Sequence, residues 1–198
     1  MTTVRTIESK PAQGAPAIAV ALQARAVLEQ CAAFIASVDD RAYAGTSGVL
    51  KDGTIGKHVR HSVDHFAAIF AGLDGDAPID YDHRQREVPM ETDRAAALGA
   101  ITTLAGRLGR VDSEKLATPV RVRVMLSGAG DEAELTSTLA RELFFAAHHA
   151  IHHHAMIKAI AGEFGCACGA EFGVAPSTIN AQAGPMATSP GTGGARKA

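Results

Sequence analysis

Residues 136–162 read TSTLARELFFAAHHAIHHHAMIKAIAG and hold His148, His149, His152, His153 and His154, five of the nine histidines in the chain. No proline or glycine interrupts the run before Gly162, and Ala, Leu, Glu and Met favour helix, so the segment is expected to form one long helix. Ser137 or Thr138 supplies its N-cap, because a short hydroxyl accepts from the orphan amides of a first turn. Gly162 is expected to end it in a left-handed turn, where a residue with a Cβ is strained. Side chains recur on one helix face at i+3, i+4 and i+7. The row Leu139, Glu142, Ala146, His149, His153, Met156, Ile160 is mostly apolar, and Phe145 and Ile157 flank it. The competing row Arg141, His148, His152, Ala155, Ala159 is more polar. His149 and His153 therefore belong to the core side, one turn apart, where two imidazoles can reach one metal ion. His148, His152 and His154 are expected at the surface or rim.

A second histidine segment lies upstream. Residues 54–73, TIGKHVRHSVDHFAAIFAGL, open on a capping Thr54, and Gly72 and Gly75 mark the end. His58, His61 and His65 stand at i, i+3 and i+7 along one side of this helix, surrounded by Val59, Val63, Phe66, Ile69 and Phe70. Eight of the nine histidines thus fall on two helices, which makes a shared site a stronger reading than either helix gives alone.

The chain of 198 residues suits one domain with tails, and its net charge of −2 with no basic block argues against nucleic-acid binding. Abundant alanine and the lack of tryptophan favour helix over sheet. Cys31, Cys166 and Cys168 are too few for a disulfide scaffold, which points to a reducing cytoplasm. The apolar run over residues 15–22 continues into an amphipathic helix and reads as neither a signal peptide nor a membrane span. Residues 1–14 are expected to be a flexible leader. A first helix follows from Pro16 to about Val38, with Cys31 as a small buried hydrophobe in its stripe. Residues 39–53 form a loop with a short helical turn near Tyr43.

Residues 74–91 form a charged loop, either solvated or a lid whose Tyr81, Arg84 and Arg86 meet a carboxylate or phosphate substrate. A third helix is expected from about Thr92 to Gly109, with Leu98, Ile101, Leu104 and Leu108 inward. Residues 120–125, VRVRVM, alternate as a short strand, and residues 133–136 return as its hairpin partner, leading straight into the last helix. After Gly162 the chain is Gly-rich and irregular, with Cys166 and Cys168 as a lone C-x-C. The tail over residues 179–198 is expected to be disordered.

The two histidine segments resemble the DinB-like superfamily, a damage-inducible group of four-helix bundles that includes bacillithiol transferases and mycothiol-dependent isomerases. The second-helix match is TIGKHVRH, in which the family's ligand falls seven residues after the opening hydroxyl residue, at His61. The last-helix match is HAIHHHAM, similar to the family's HExHHRGQ stretch, and points to His149 and His153. The likeness covers residues 15–178. Ala150 stands where many relatives carry Glu, and His154-Ala155-Met156 replaces Arg-Gly-Gln. The resemblance implies an all-α four-helix bundle, with the small hairpin before the last helix, and a three-histidine metal site between helices. Zinc, nickel or iron would accept these donors, with a coordination position left open. A hydrolase or a thiol S-transferase acting on a small molecule, for instance a low-molecular-weight thiol, is implied, in a cytoplasmic homodimer. The alternatives are a non-catalytic metal-binding or stress-response module, and a dinuclear oxygen-using enzyme in which Glu142, His58 and His65 also coordinate. Glu142, one heptad before His149, is otherwise expected to act as an acceptor for a ligand's N–H, as a general base or as a fourth ligand.

Overall fold

The computed structural model describes residues 15–83 and 87–184. The expected leader, Arg84 and Arg86, and the end of the expected tail lie outside them. The chain is mostly helical with one small sheet. In order it forms α1 (Ala15–Ser37), α2 (Asp40–Ala44), α3 (Ile55–Gly75), β1 (Ile79–Asp80), a 3-10 turn (Pro89–Glu91), α4 (Arg94–Leu108), α5 (Ser113–Leu116), β2 (Pro119–Met125), β3 (Glu132–Thr138), α6 (Leu139–Glu163) and α7 (Pro176–Gln182).

α3, α4 and α6 each start where a side chain supplies an acceptor for a first-turn amide. Thr54 accepts from the Lys57 amide at the head of α3, and Asp93 accepts from Ala95 and Ala96 at the head of α4. Thr138 is both the last residue of β3 and the cap of α6, accepting from the Arg141 amide. Strand and helix are therefore joined without a loop. α3 packs along α6, α1 packs along α4 and α6, and α3 also meets α4. Leu28, Ile35, Phe66, Ile69, Ile101, Leu143 and Ile157 close the space between them, all at most 1% exposed. Burial of side chains of this size stabilises by about 1.5–3 kcal/mol each. α1 includes a stretch, Ile18–Ser37, long and apolar enough to cross a membrane by length and composition. Its inward face of Ala24, Leu28, Cys31 and Ile35 is buried against the other helices.

The hairpin pairs antiparallel, from Pro119 opposite Thr138 to Met125 opposite Glu132. The segment expected to be only a loop adds a third strand, with Ile79 of β1 parallel to Val122 of β2. Two residues are too few for a period-2 pattern, yet Ile79 is 1% exposed and anchors the strand. α5 also lacked a sequence signal, because four residues carry no helical period; Asp112 caps it by accepting from Lys115 N, and Leu116 is buried.

Two expected ends move. Gly162 lies inside α6, which runs to Glu163; the left-handed glycine is Gly165, at φ 72°. The expected tail boundary at residue 179 falls within α7, whose Pro176 fits the first turn because its missing N–H has no helical partner to lose.

Gly56 permits the closest approach near the site. A Cβ there would lie 2.0 Å from the Glu91 carbonyl oxygen and 2.9 Å from the Tyr43 ring. The start of α3 is thereby pressed onto the 3-10 turn. Gly56→Ala is expected to destabilise the fold by about 1–3 kcal/mol in urea unfolding, whereas Gly75→Ala, which meets open space, should cost far less.

Candidate metal centre

Three histidine ring nitrogens converge between α3 and α6. Nε2 of His149 lies 3.0 Å from Nε2 of His61 and 3.1 Å from Nε2 of His153. The three residues offer donor atoms that all lie within 4.8 Å of one another. His153 is 8% exposed, and His61 and His149 are half-buried. An imidazole nitrogen carries either one proton or one lone pair. His149 Nε2 therefore cannot be donor to one neighbour and acceptor from the other at once. Nitrogens bound to one zinc at about 2.0–2.1 Å stand roughly 3–3.4 Å apart, so the spacing fits three donors turned towards one cation. Burial, and the neighbouring His61, His149 and His58, push the His153 imidazole down to about 2, so its ring is neutral, the form that donates to a metal.

Two more histidines brace these three. His58 Nδ1 lies 2.9 Å from His153 Nδ1, on the side of the ring opposite the convergence. A proton on His153 Nδ1 donated to His58 leaves His153 Nε2 with its lone pair inward. His65 donates from Nδ1 to the His61 carbonyl one turn earlier, at 2.8 Å. Its ring lies 4.2 Å from that of His149 and stacks on Tyr81 at 4.9 Å. His58 and His65 both stand outside the group of three converging donors.

Glu142 is wholly buried, and its oxygens are taken by other partners. Tyr81 donates to Oε2 at 2.7 Å, while Ser137 and Arg141 donate to Oε1 at 2.6 and 2.8 Å. The expected role of acceptor for a ligand's N–H is thus filled by a phenol instead of an imidazole. Seven residues of helix also put Glu142 about 10 Å along the axis from His149, which takes it out of reach as a fourth ligand. Burial, then the bond to Glu142, raise the Tyr81 phenol, which stays protonated as the donor. Tyr81 and Glu142 border a pocket of about 390 Å³ with Val122, Leu135 and Phe145.

The histidines open onto a different pocket. His58, His61 and His153 line a cavity of about 410 Å³ with Leu50, Gly53 and Met156. Its rim is fixed to the end of α6: Ser47 Oγ and the Gly48 amide both donate to the Glu163 carboxylate, and Ser47 Oγ accepts from the Leu50 amide.

Among the surface expectations, His148 and His152 are exposed, but His154 is not. It is 0% exposed and lies flat on Phe172, with ring centroids 4.6 Å apart. Phe172 in turn stacks on Phe34 of α1. Gly173 (φ 71°) lets the chain after α6 fold back so closely that a Cβ would meet the Ala155 amide at 2.5 Å. The helical row alone could not reveal this, because the covering residue comes from an irregular segment. Cys31 is buried and its thiol is pushed up to about 12, as a small core hydrophobe. Cys166 and Cys168 are partly buried and belong to no metal-sized cluster among the described residues. Asp64 pairs with Arg60 at 3.1 Å, and His83 sits on the surface between Asp80 and Glu132.

No family model and no solved structure matches this chain. Over 102 residues it is 36% identical to FK506-binding protein 5 of the fungus Rhizopus delemar. The matched stretch is 51% of this chain and 26% of that protein, so the chain spans about a quarter of the curated relative.

Among the described residues neither ring nitrogen of His154 has a hydrogen-bond partner. A buried polar group without a partner costs about 1–3 kcal/mol, so replacing it with a ring of similar shape should help. His154→Phe is expected to raise the unfolding free energy by about 1 kcal/mol, read as a higher urea midpoint at unchanged slope. A lower midpoint would show that the imidazole holds a partner.

Proposed function

We propose that this chain is a DinB-like four-helix bundle, built from α1, α3, α4 and α6, that binds one divalent metal through His61, His149 and His153 and uses it on a small substrate. The observation that carries this reading is the approach of His149 Nε2 to the Nε2 atoms of both His61 and His153, at 3.0 and 3.1 Å, with donor atoms of all three residues within 4.8 Å of one another. The cyclic order in which the four long helices pack supports the bundle, as does the origin of the donors on two facing helices. Three neutral imidazoles suit zinc, nickel or iron and leave a position open. A metal held there supplies Lewis acidity that lowers the pKa of a bound water or thiol, which suits hydrolysis or thiol S-transfer.

The protein's own side chains do the remaining work. His58 fixes the tautomer and angle of His153 from behind. His65, wedged between Tyr81 and His149, holds the His149 ring in place. The pocket beside the donors is open and mixed in character: Leu50 and Met156 are its apolar part, and Lys51, Asp52, Lys57 and Arg60 are charged groups that a polar substrate would meet. A dinuclear centre loses support from Glu142, whose carboxylate is bound by Tyr81, Ser137 and Arg141. The cytoplasmic homodimer belongs to the same proposal. The fungal relative's name speaks of FK506 binding, but the chain covers too little of that protein for this to pass to it.

His149→Ala and His153→Ala are expected to lose most of the bound metal, measured per chain after desalting, and His148→Ala and His152→Ala to keep it. Full metal in a folded His149→Ala protein would remove the assignment. His58→Ala should retain the three donors but bind metal about 10–100-fold more weakly, read by competition with a chelator. Loss of esterase or thiol-transfer turnover on chelation, and its return with metal, would separate an enzyme from a passive binding module.

A further inference from the structure

A further sizeable cavity lies away from the histidines. It occupies about 560 Å³ where the ends of α3 and α4 meet α5 and the start of α6. Phe70, nine residues beyond His61 on α3, and Leu139, ten residues before His149 on α6, both line it. At about 1.5 Å per residue, the cleft stands roughly 14 Å along the helices from the converging nitrogens.

Its floor and its rim differ in character. Phe70, Leu73, Val111 and Leu139 form an apolar floor. Arg107, Arg110 and Lys115 supply cations, and Asp74 is the single carboxylate in the lining. That carboxylate is consumed: Arg107 grips it in a two-pronged bond at 2.6 and 2.8 Å while its guanidinium lies 4.2 Å over the Phe70 ring. Elsewhere in the fold the arginines tend to hold a carboxylate, as Arg60, Arg94 and Arg121 do. Among the described residues no carboxylate pairs with Arg110 or Lys115, so the cleft keeps two uncompensated positive charges in a chain whose net charge is −2.

From this we infer that the cleft binds a small amphiphilic anion, a carboxylate or sulfonate on an apolar body. The body lies on the Phe70–Leu139 floor, and the acid group meets Arg110 and Lys115. The volume is that of a small-molecule site. A neutral apolar ligand would leave both cations unused, and a free inorganic anion would leave the floor wet. Arg107 acts as a positioning residue: locked to Asp74, it forms a fixed wall, and the two unpaired cations are left to meet the ligand. This inference is independent of the metal reading, since no histidine lines the cleft.

The test is isothermal titration calorimetry on the full chain with monomeric decanoate, against decylammonium, which has the same tail and the opposite charge. One decanoate per chain is expected, with decylammonium binding at least tenfold more weakly. Arg110→Glu and Lys115→Glu, both at exposed positions without ion-pair partners among the described residues, should each weaken decanoate about tenfold with an unchanged circular dichroism spectrum. His149→Ala should bind decanoate as the unsubstituted chain does, which separates this site from the metal centre. No saturable decanoate binding, equal affinity for decylammonium, or unaltered affinity in both charge-reversed variants would overturn the inference. So would association only with phosphatidylserine vesicles, since that would mean a membrane surface in place of a small-molecule cleft.

Discussion

The packing of three imidazoles, nitrogen to nitrogen, between α3 and α6 is the constraint on which the rest of the molecule turns. Ring nitrogens 3.0–3.1 Å apart bring lone pairs into mutual contact in a partly dehydrated space. Such an arrangement is costly unless something positive sits among the lone pairs or every proton is correctly assigned. It also sets the register of the two helices. Displacing α6 by one residue relative to α3 would rotate the His149 and His153 rings away by about 100°.

Much of the surrounding structure serves to hold that register. β3 passes into α6 at Thr138 without a linker, so the hairpin fixes where the helix starts. At the far end, Glu163 gathers the Ser47–Gly48 turn, and this turn belongs to the loop whose Leu50 and Gly53 border the histidine pocket. Tyr81, delivered by the segment after β1, reaches Glu142 with its hydroxyl and His65 with its ring. One phenol thereby joins a buried carboxylate to the stack of imidazoles. The polar groups form a connected system running from the sheet side of α6 to the pocket mouth.

The helices and two of the three converging histidines were legible because they follow a simple period. The apolar row through Ala146, His149 and His153 put two rings inward; on α3 the spacing left His58, His61 and His65 on one side, and the resemblance to the DinB-like family, not the period, pointed to His61. Three features were not legible, each for a physical reason. His154 sits beside His153 and should face outward by helical spacing alone; it is buried because Phe172, from a segment without periodicity, folds back over it. Glu142 looked like a partner for the histidines, since seven residues restore the same face, but the carboxylate is claimed by Ser137 and Arg141 at the β3–α6 junction and by Tyr81 from a distant segment. β1 is too short to show alternation, and its place is set by one buried side chain, Ile79. Local pattern fixes the face of a helix. It does not reveal what a distant loop lays upon that face.

The proposed centre is a single cation held by the nitrogens of His61, His149 and His153, whose donor atoms lie within 4.8 Å of one another. The most direct measurement is elemental analysis of the purified, untagged chain, counting zinc, nickel and iron per polypeptide. The account predicts one equivalent, retained through desalting and removed by a strong chelator. No metal after reconstitution would contradict it and leave a helical protein with an unusually tight histidine core; two equivalents would contradict it by requiring donors beyond His61, His149 and His153.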